Sequence, residues 1–123
     1  MSPAPTRRFS RYALALLFVG AGALHFVRPE TYLRIMPPWL PAPLLLVQLS
    51  GAFEILGGLG LLWSRTRRLA GWGLLVLLVA VFPANVYLAQ IHGQLGIPGW
   101  LAWGRLPLQL PLLWWVWRAS RGA

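Results

Sequence analysis

Four long apolar stretches decide most of what this chain can fold into. Residues 9–27, 43–63, 69–91 and 101–117 approach or exceed the roughly 20 residues a helix needs to cross about 30 Å of hydrocarbon. The whole chain is 58% hydrophobic with a mean hydropathy of +0.62, against the roughly 45–50% apolar content of a soluble domain. The pattern predicts an all-α integral membrane protein of one domain, residues 1–123, in contact with the lipid bilayer. The first stretch follows Arg7, Arg8 and Arg11 and holds Ala21 and Ala23, a pattern shared with secretory signals. The three further apolar stretches favour a span instead. Gly104, Arg105, Pro107 and Pro111 interrupt the first half of the fourth stretch.

The charges orient these spans. The net charge of +9 comes from eleven arginines, no lysine and two acids. In a soluble protein that balance would suggest nucleic acid. Here the arginines cluster between apolar runs, so no nucleic-acid partner is expected. Eight lie in the N-terminal tail, the "SRTRR" turn and the C-terminus, and the other two connections carry only Arg28, Arg34 and Arg105. The positive-inside rule then puts both termini in the cytoplasm. All eight tryptophans fall near span ends or in connections, at the headgroup level they prefer. The short turn 64–68 makes the second and third spans an antiparallel hairpin. The simplest completion is an up-down-up-down four-helix bundle. Between the first two spans, "RPETYLRIMPPWLPAP" reads as a short helix opened by Pro29 and stopped by later prolines. It forms an outer cap with Tyr32, Ile35, Met36 and Trp39 dipping inward. Pro83 should kink the third span and free a carbonyl near Val79.

Within the apolar run from Pro43 to Trp63 stands one carboxylate, Glu54. At 1.5 Å per residue it lies roughly 16 Å below the outer end of its span, near the bilayer midplane. A lone buried carboxylate costs several kcal/mol, so Glu54 is expected to be protonated, paired, or beside trapped water. Val47, Ser50, Gly51, Glu54, Gly57, Gly58 and Leu61 share one helical stripe, and its small residues admit another helix. Glu54 therefore points into the bundle. The same depth count puts His25 and Asn85 in the outer third of their spans, with Gln48, Arg105 and Gln109 nearer the outer ends. Together with Ser50 these form a candidate polar site in the outer half.

A plainer role stands beside each. Gln48, Asn85 and Gln109 can be interhelical hydrogen-bond glue worth around 0.6 kcal/mol each, and His25 a satisfied packing histidine. Glu54 can be one half of a fixed ion pair with Arg105 or His25, although an ionisable group at that depth is by default functional. Two histidines, one intramembrane acid and no cysteine make no recognisable metal-ligand spacing. Ser50 has no evident base beyond Glu54 one turn away. The absence of cysteine also removes disulfides and thiol catalysis, so a redox role would need a bound cofactor or a partner.

The sequence resembles the DoxX family of small four-helix bacterial membrane proteins over nearly its whole length. The resemblance runs from "GAGALHFVRPETYLRIMPPWLP" through "LSGAFEILGGLGLL" and "TRRLAGWGLLVLLVAVFPANVY" to "RLPLQ". It rests on His25 with Pro29, the run Pro37 to Pro41, Ser50-Gly51 with Glu54 and Gly58, Thr66-Arg67-Arg68, and Pro83-Ala84-Asn85. It implies a four-span bundle in the bacterial inner membrane and, for some members, association with membrane redox systems, including an archaeal thiosulfate:quinone oxidoreductase. Another branch accompanies methylamine utilisation and disulfide formation in a partner; no cysteine here matches direct thiol exchange. The expectation is an accessory or quinone-linked subunit of a membrane oxidoreductase, with other redox subunits as partners and a quinone as cofactor. The alternative is a non-catalytic assembly factor or scaffold whose polar cluster is structural. A proton-coupled carrier using Glu54 would need a homo-oligomer, because four short spans leave little room for alternating access.

Overall fold

The computed structural model describes residues 5–121. Among them the chain is helical throughout: α1 (Pro5–Val27), α2 (Pro29–Leu33), α3 (Pro43–Gly60), α4 (Arg67–Gln90), α5 (His92–Leu95) and α6 (Gly99–Ala119). Residues 1–4 and 122–123, whose cytoplasmic placement the arginine distribution predicts, lie outside the described residues, as does the side chain of Arg7. Three helices are long and apolar enough to cross a membrane, over Arg8–Val27, Pro43–Gly60 and Arg67–Gln90. Leucines and valines such as Leu16, Leu56 and Val76 are exposed on their outer faces, consistent with contact to a lipid bilayer. The fourth apolar window becomes α6, continuous through Pro107 and Pro111.

The second span is shorter than the apolar run suggests, ending at Gly60 where hydropathy extends to Trp63. The turn itself stops it. Thr66 Oγ1 donates to the Gly60 carbonyl at 2.7 Å and Arg67 Nε to the Leu61 carbonyl at 2.8 Å, satisfying acceptors that the last helical turn leaves open. Arg11 does the same for α6, donating from Nε to the Ala119 carbonyl at 3.0 Å and from Nη2 to that of Arg121 at 3.2 Å. Arginines read from sequence only as orientation signals thus also close helix ends. The connection 92–98 holds a further turn, α5, unexpected from composition. It ends at Gly96 with φ 72°, a left-handed conformation that glycine adopts without penalty.

Each long helix packs on the next: α1 on α3, α3 on α4, α4 on α6, and α6 back on α1 along a narrower seam. The α1–α3 contact is the most extensive and brings backbone against backbone. A Cβ built on Gly22 would lie 2.5 Å from the Gly51 carbonyl oxygen, and one on Gly51 would lie 2.7 Å from His25 Cβ. Further along, Gly58 faces Ala15 and Phe18, so α1 and α3 run antiparallel. Val47, Gly51, Gly57, Gly58 and Leu61 are all buried, which puts the stripe carrying Glu54 on the packed face.

Two apolar clusters result. Leu14, Phe18, Leu61, Leu74, Leu78 and Val116 form one at the arginine-rich end. Leu88, Ala89 and Ala102, with Ile35 and Leu106 against them, form the other beneath the cap. Within the cap, Trp39 is 70% exposed and does not dip inward, because prolines 37, 38 and 41 carry the chain over the surface before α3 begins. Tyr32, Ile35 and Met36 do turn inward.

Replacing Gly51 by Leu drives a side chain into the α1 backbone, and overpacking of this kind costs roughly 1–3 kcal/mol. The melting temperature in detergent should fall well below wild type, whereas Gly73→Leu, at a site with nothing within 4 Å, should leave it unchanged.

Candidate functional site

Between the two apolar clusters the helices line a half-open cavity of about 410 Å³, within the range of small-molecule sites. Phe18 and Leu78 close it toward the arginine-rich end and Ile35 and Met36 toward the cap, with Leu46, Val81 and Leu108 among the apolar walls. The polar lining comes from five elements: His25 on α1, Tyr32 on α2, Ser50 and Glu54 on α3, Asn85 on α4, and Arg105 and Gln109 on α6. Six of the seven residues singled out in the sequence therefore meet at one place. Gln48 does not. It is exposed and outside the cavity, because it sits next to Val47 on α3 and so faces a different side of the helix.

Glu54 and His25 form the centre. Their side chains are only 12% and 10% exposed, and His25 Nδ1 lies 3.4 Å from Glu54 Oε2. The same Nδ1 is 2.7 Å from the Ala21 carbonyl oxygen. A carbonyl can only accept, so Nδ1 carries the proton and spends it there, and a neutral imidazole then keeps Nε2 as an acceptor. The approach to Glu54 is consequently an electrostatic contact and not a hydrogen bond, and Glu54 Oε2 is buried without a hydrogen-bond partner. Arg105 shares the cavity but forms no ion pair with Glu54 among the described residues.

Tyr32 is the residue sequence reasoning left out of the site. Its ring stacks on His25 with centroids 3.8 Å apart and planes at 17°, pinning the cap over the cavity. Burial first, and then the Glu54 carboxylate, push its hydroxyl above the usual tyrosine range, with Arg105 pulling the other way. It remains a neutral donor. The available signal was the inward set Tyr32, Ile35 and Met36, but nothing in their spacing names His25 as the partner.

Asn85 and Gln109 are committed differently. Asn85 Nδ2 donates to Gln109 Oε1 at 3.2 Å, and Gln109 Nε2 donates to the Leu78 carbonyl, one residue from the carbonyl that Pro83 deprives of its helical donor. This pair ties α4 to α6. The cavity thus has a spent wall, Asn85 with Gln109, and an unspent one, made by Glu54, His25, Tyr32 and Arg105.

His92, on α5, is directed elsewhere, to the Ile97 carbonyl at 2.9 Å. No group of three His, Cys, Asp or Glu side chains comes together among the described residues.

Comparison with known proteins gave one family. The model of a domain of unknown function, DUF8561, matches residues 14–120, which include every residue lining the cavity. No curated protein and no solved structure matches the chain.

Removing the Tyr32 ring by Tyr32→Ala should release the cap. Hydrogen exchange over residues 29–36 is expected to accelerate while α3 and α4 keep their protection; unchanged exchange in the cap would show that the stacking does not hold it.

Proposed function

The chain belongs to the DUF8561 family of domains of unknown function, and we propose that it is a membrane protein whose cavity holds the polar head of a small amphiphile, a quinone, as an accessory subunit of a membrane redox system. The single observation carrying this reading is Glu54 Oε2, a carboxylate oxygen buried beside a 410 Å³ cavity with no hydrogen-bond partner. An unmade hydrogen bond at such a group costs about 1–3 kcal/mol or more. A quinol hydroxyl donating to Glu54 would recover it, and a quinone carbonyl would accept from Tyr32 or Arg105, while the apolar walls suit a ring and tail. The redox connection itself is supported by the resemblance to DoxX proteins. With no cysteine, the chain's part is to bind and orient the quinone for a partner that carries the electrons.

In this reading α6 is a fourth span and the protein an up-down-up-down bundle in a bacterial inner membrane, with both termini and the turn 64–68 in the cytoplasm. The arginine distribution and the antiparallel packing of neighbouring helices support it. The chain has no native cysteine, so single cysteines at Thr66 and Gln94 report cleanly: external reagent should label only the Gln94 position. Labelling of Thr66 from outside would reverse the orientation.

A second reading, a non-catalytic assembly factor or scaffold, draws on the Asn85–Gln109 pair, whose polarity is consumed in joining α4 to α6. Glu54→Gln separates the two. If the cavity binds the quinol form, a short-chain quinol analogue should bind the variant on the order of tenfold more weakly, the loss of one hydrogen bond from its hydroxyl to a charged carboxylate, with the melting temperature near wild type. If Glu54 is a structural group instead, the variant melts early.

A further inference from the structure

At the arginine-rich end, far from the cavity, α4 and α6 build a second polar group that the quinone reading does not use. The Arg121 guanidinium lies 3.7 Å from the Trp117 ring centroid and 5.1 Å from that of Trp72. Those two rings meet edge to face with centroids 5.5 Å apart. One turn back, Arg118 lies 5.3 Å from the Trp114 ring. Gly71 makes the cluster possible, because Ser120 occupies the space where a Cβ would stand, bringing the start of α4 against the end of α6.

Stacking fixes the plane of a guanidinium and leaves its edge donors to find acceptors. Here they find none: Arg121 Nε and Nη2 are buried without a hydrogen-bond partner. No carboxylate is within ion-pairing distance of Arg121 among the described residues. Burial, and next the like charge of Arg68, pull the group below its usual value, so the positive charges here are crowded and uncompensated among the described residues. Arg121 is half-buried and Arg68 and Arg118 are exposed, within reach of a molecule lying at the tryptophan level.

The geometry points to a binding site for the phosphate of an anionic phospholipid at Arg68, Arg118 and Arg121, seated on Trp72, Trp114 and Trp117. The exposed Arg68 and Arg118 guanidinia offer forked donors to a phosphate, the half-buried Arg121 adds its charge beside them, tryptophans favour the headgroup layer, and basic pockets between membrane helices take anionic headgroups. A contact surface for the acyl chains is available on the exposed faces of Trp72 and Trp114. The inference rests on the membrane reading of the chain but not on the cavity.

The test titrates full-length protein in a mild non-ionic detergent with phosphatidylglycerol, phosphatidylcholine and inorganic phosphate in separate arms, read by tryptophan fluorescence and melting temperature. Phosphatidylglycerol should saturate and raise the melting temperature, and the other two should do neither. Equal binding of phosphatidylcholine would overturn the site, and an equal response to inorganic phosphate would overturn the lipid as its ligand. Arg121→Gln and Arg118→Gln should each weaken phosphatidylglycerol binding about fivefold. Arg118→Lys, which keeps the charge but loses the fork, should also weaken it. Arg65→Gln, an exposed arginine of the neighbouring turn, should leave binding unchanged; a matching loss there would mean diffuse attraction and no site. Should Arg121→Gln lose its helical circular dichroism, the Arg118→Gln and Arg65→Gln pair decides alone. Quinone-analogue binding by Arg118→Gln should stay at the wild-type level, so failure of this site and failure of the cavity reading are separately visible.

Discussion

Most of this structure follows from how closely α1 and α3 approach at Gly22 and Gly51. A Cβ on either glycine would collide with the other helix, so the two backbones touch where most helix pairs are held apart by side chains. Membrane helices gain little from burying apolar surface against each other, since lipid is as apolar as leucine, and close packing of small residues takes over that role. The contact also brings His25 to Glu54, one turn of α3 past Gly51. Without the contact, Glu54 would face lipid or a wider gap, and its burial would have no neighbour of any polarity.

Polar groups in such a fold must each find a use, because an unpartnered one in hydrocarbon is expensive. The chain satisfies them in two distinct ways. Gln109 and Asn85 answer each other and the loosened backbone near Pro83. Arg11, Arg67 and Thr66 answer open carbonyls at helix ends. Against that thoroughness, the unmet oxygen of Glu54 and the unmet nitrogens of Arg121 stand out. One is acidic and lies in a cavity beneath the cap; the other is basic and lies in a tryptophan collar at the opposite end. Each has the chemistry of a site that something else completes.

The cap has a part in the first of these. Prolines hold its second half on the surface and leave Trp39 outside, while the short α2 turns Tyr32 onto His25. The cavity roof is therefore a five-residue helix that packs on α3 and α1 and stacks Tyr32 on His25.

Much of this was legible before any coordinates. Apolar run lengths located α1, α3, α4 and α6, since membrane thickness sets helix length. The three- and four-residue spacing of Gly51, Glu54 and Gly58 placed Glu54 on a packed face, because helical periodicity is local. Depth counting alone put six cavity residues in the outer half. It could not exclude Gln48, whose rotation about α3 depends on which side a neighbour occupies. Nor could it pair Tyr32 with His25, send Arg11 to the end of α6, or stack Arg121 on Trp117. Those contacts join residues distant in sequence, and the direction in which each helix faces its neighbour is decided only when all of them pack together.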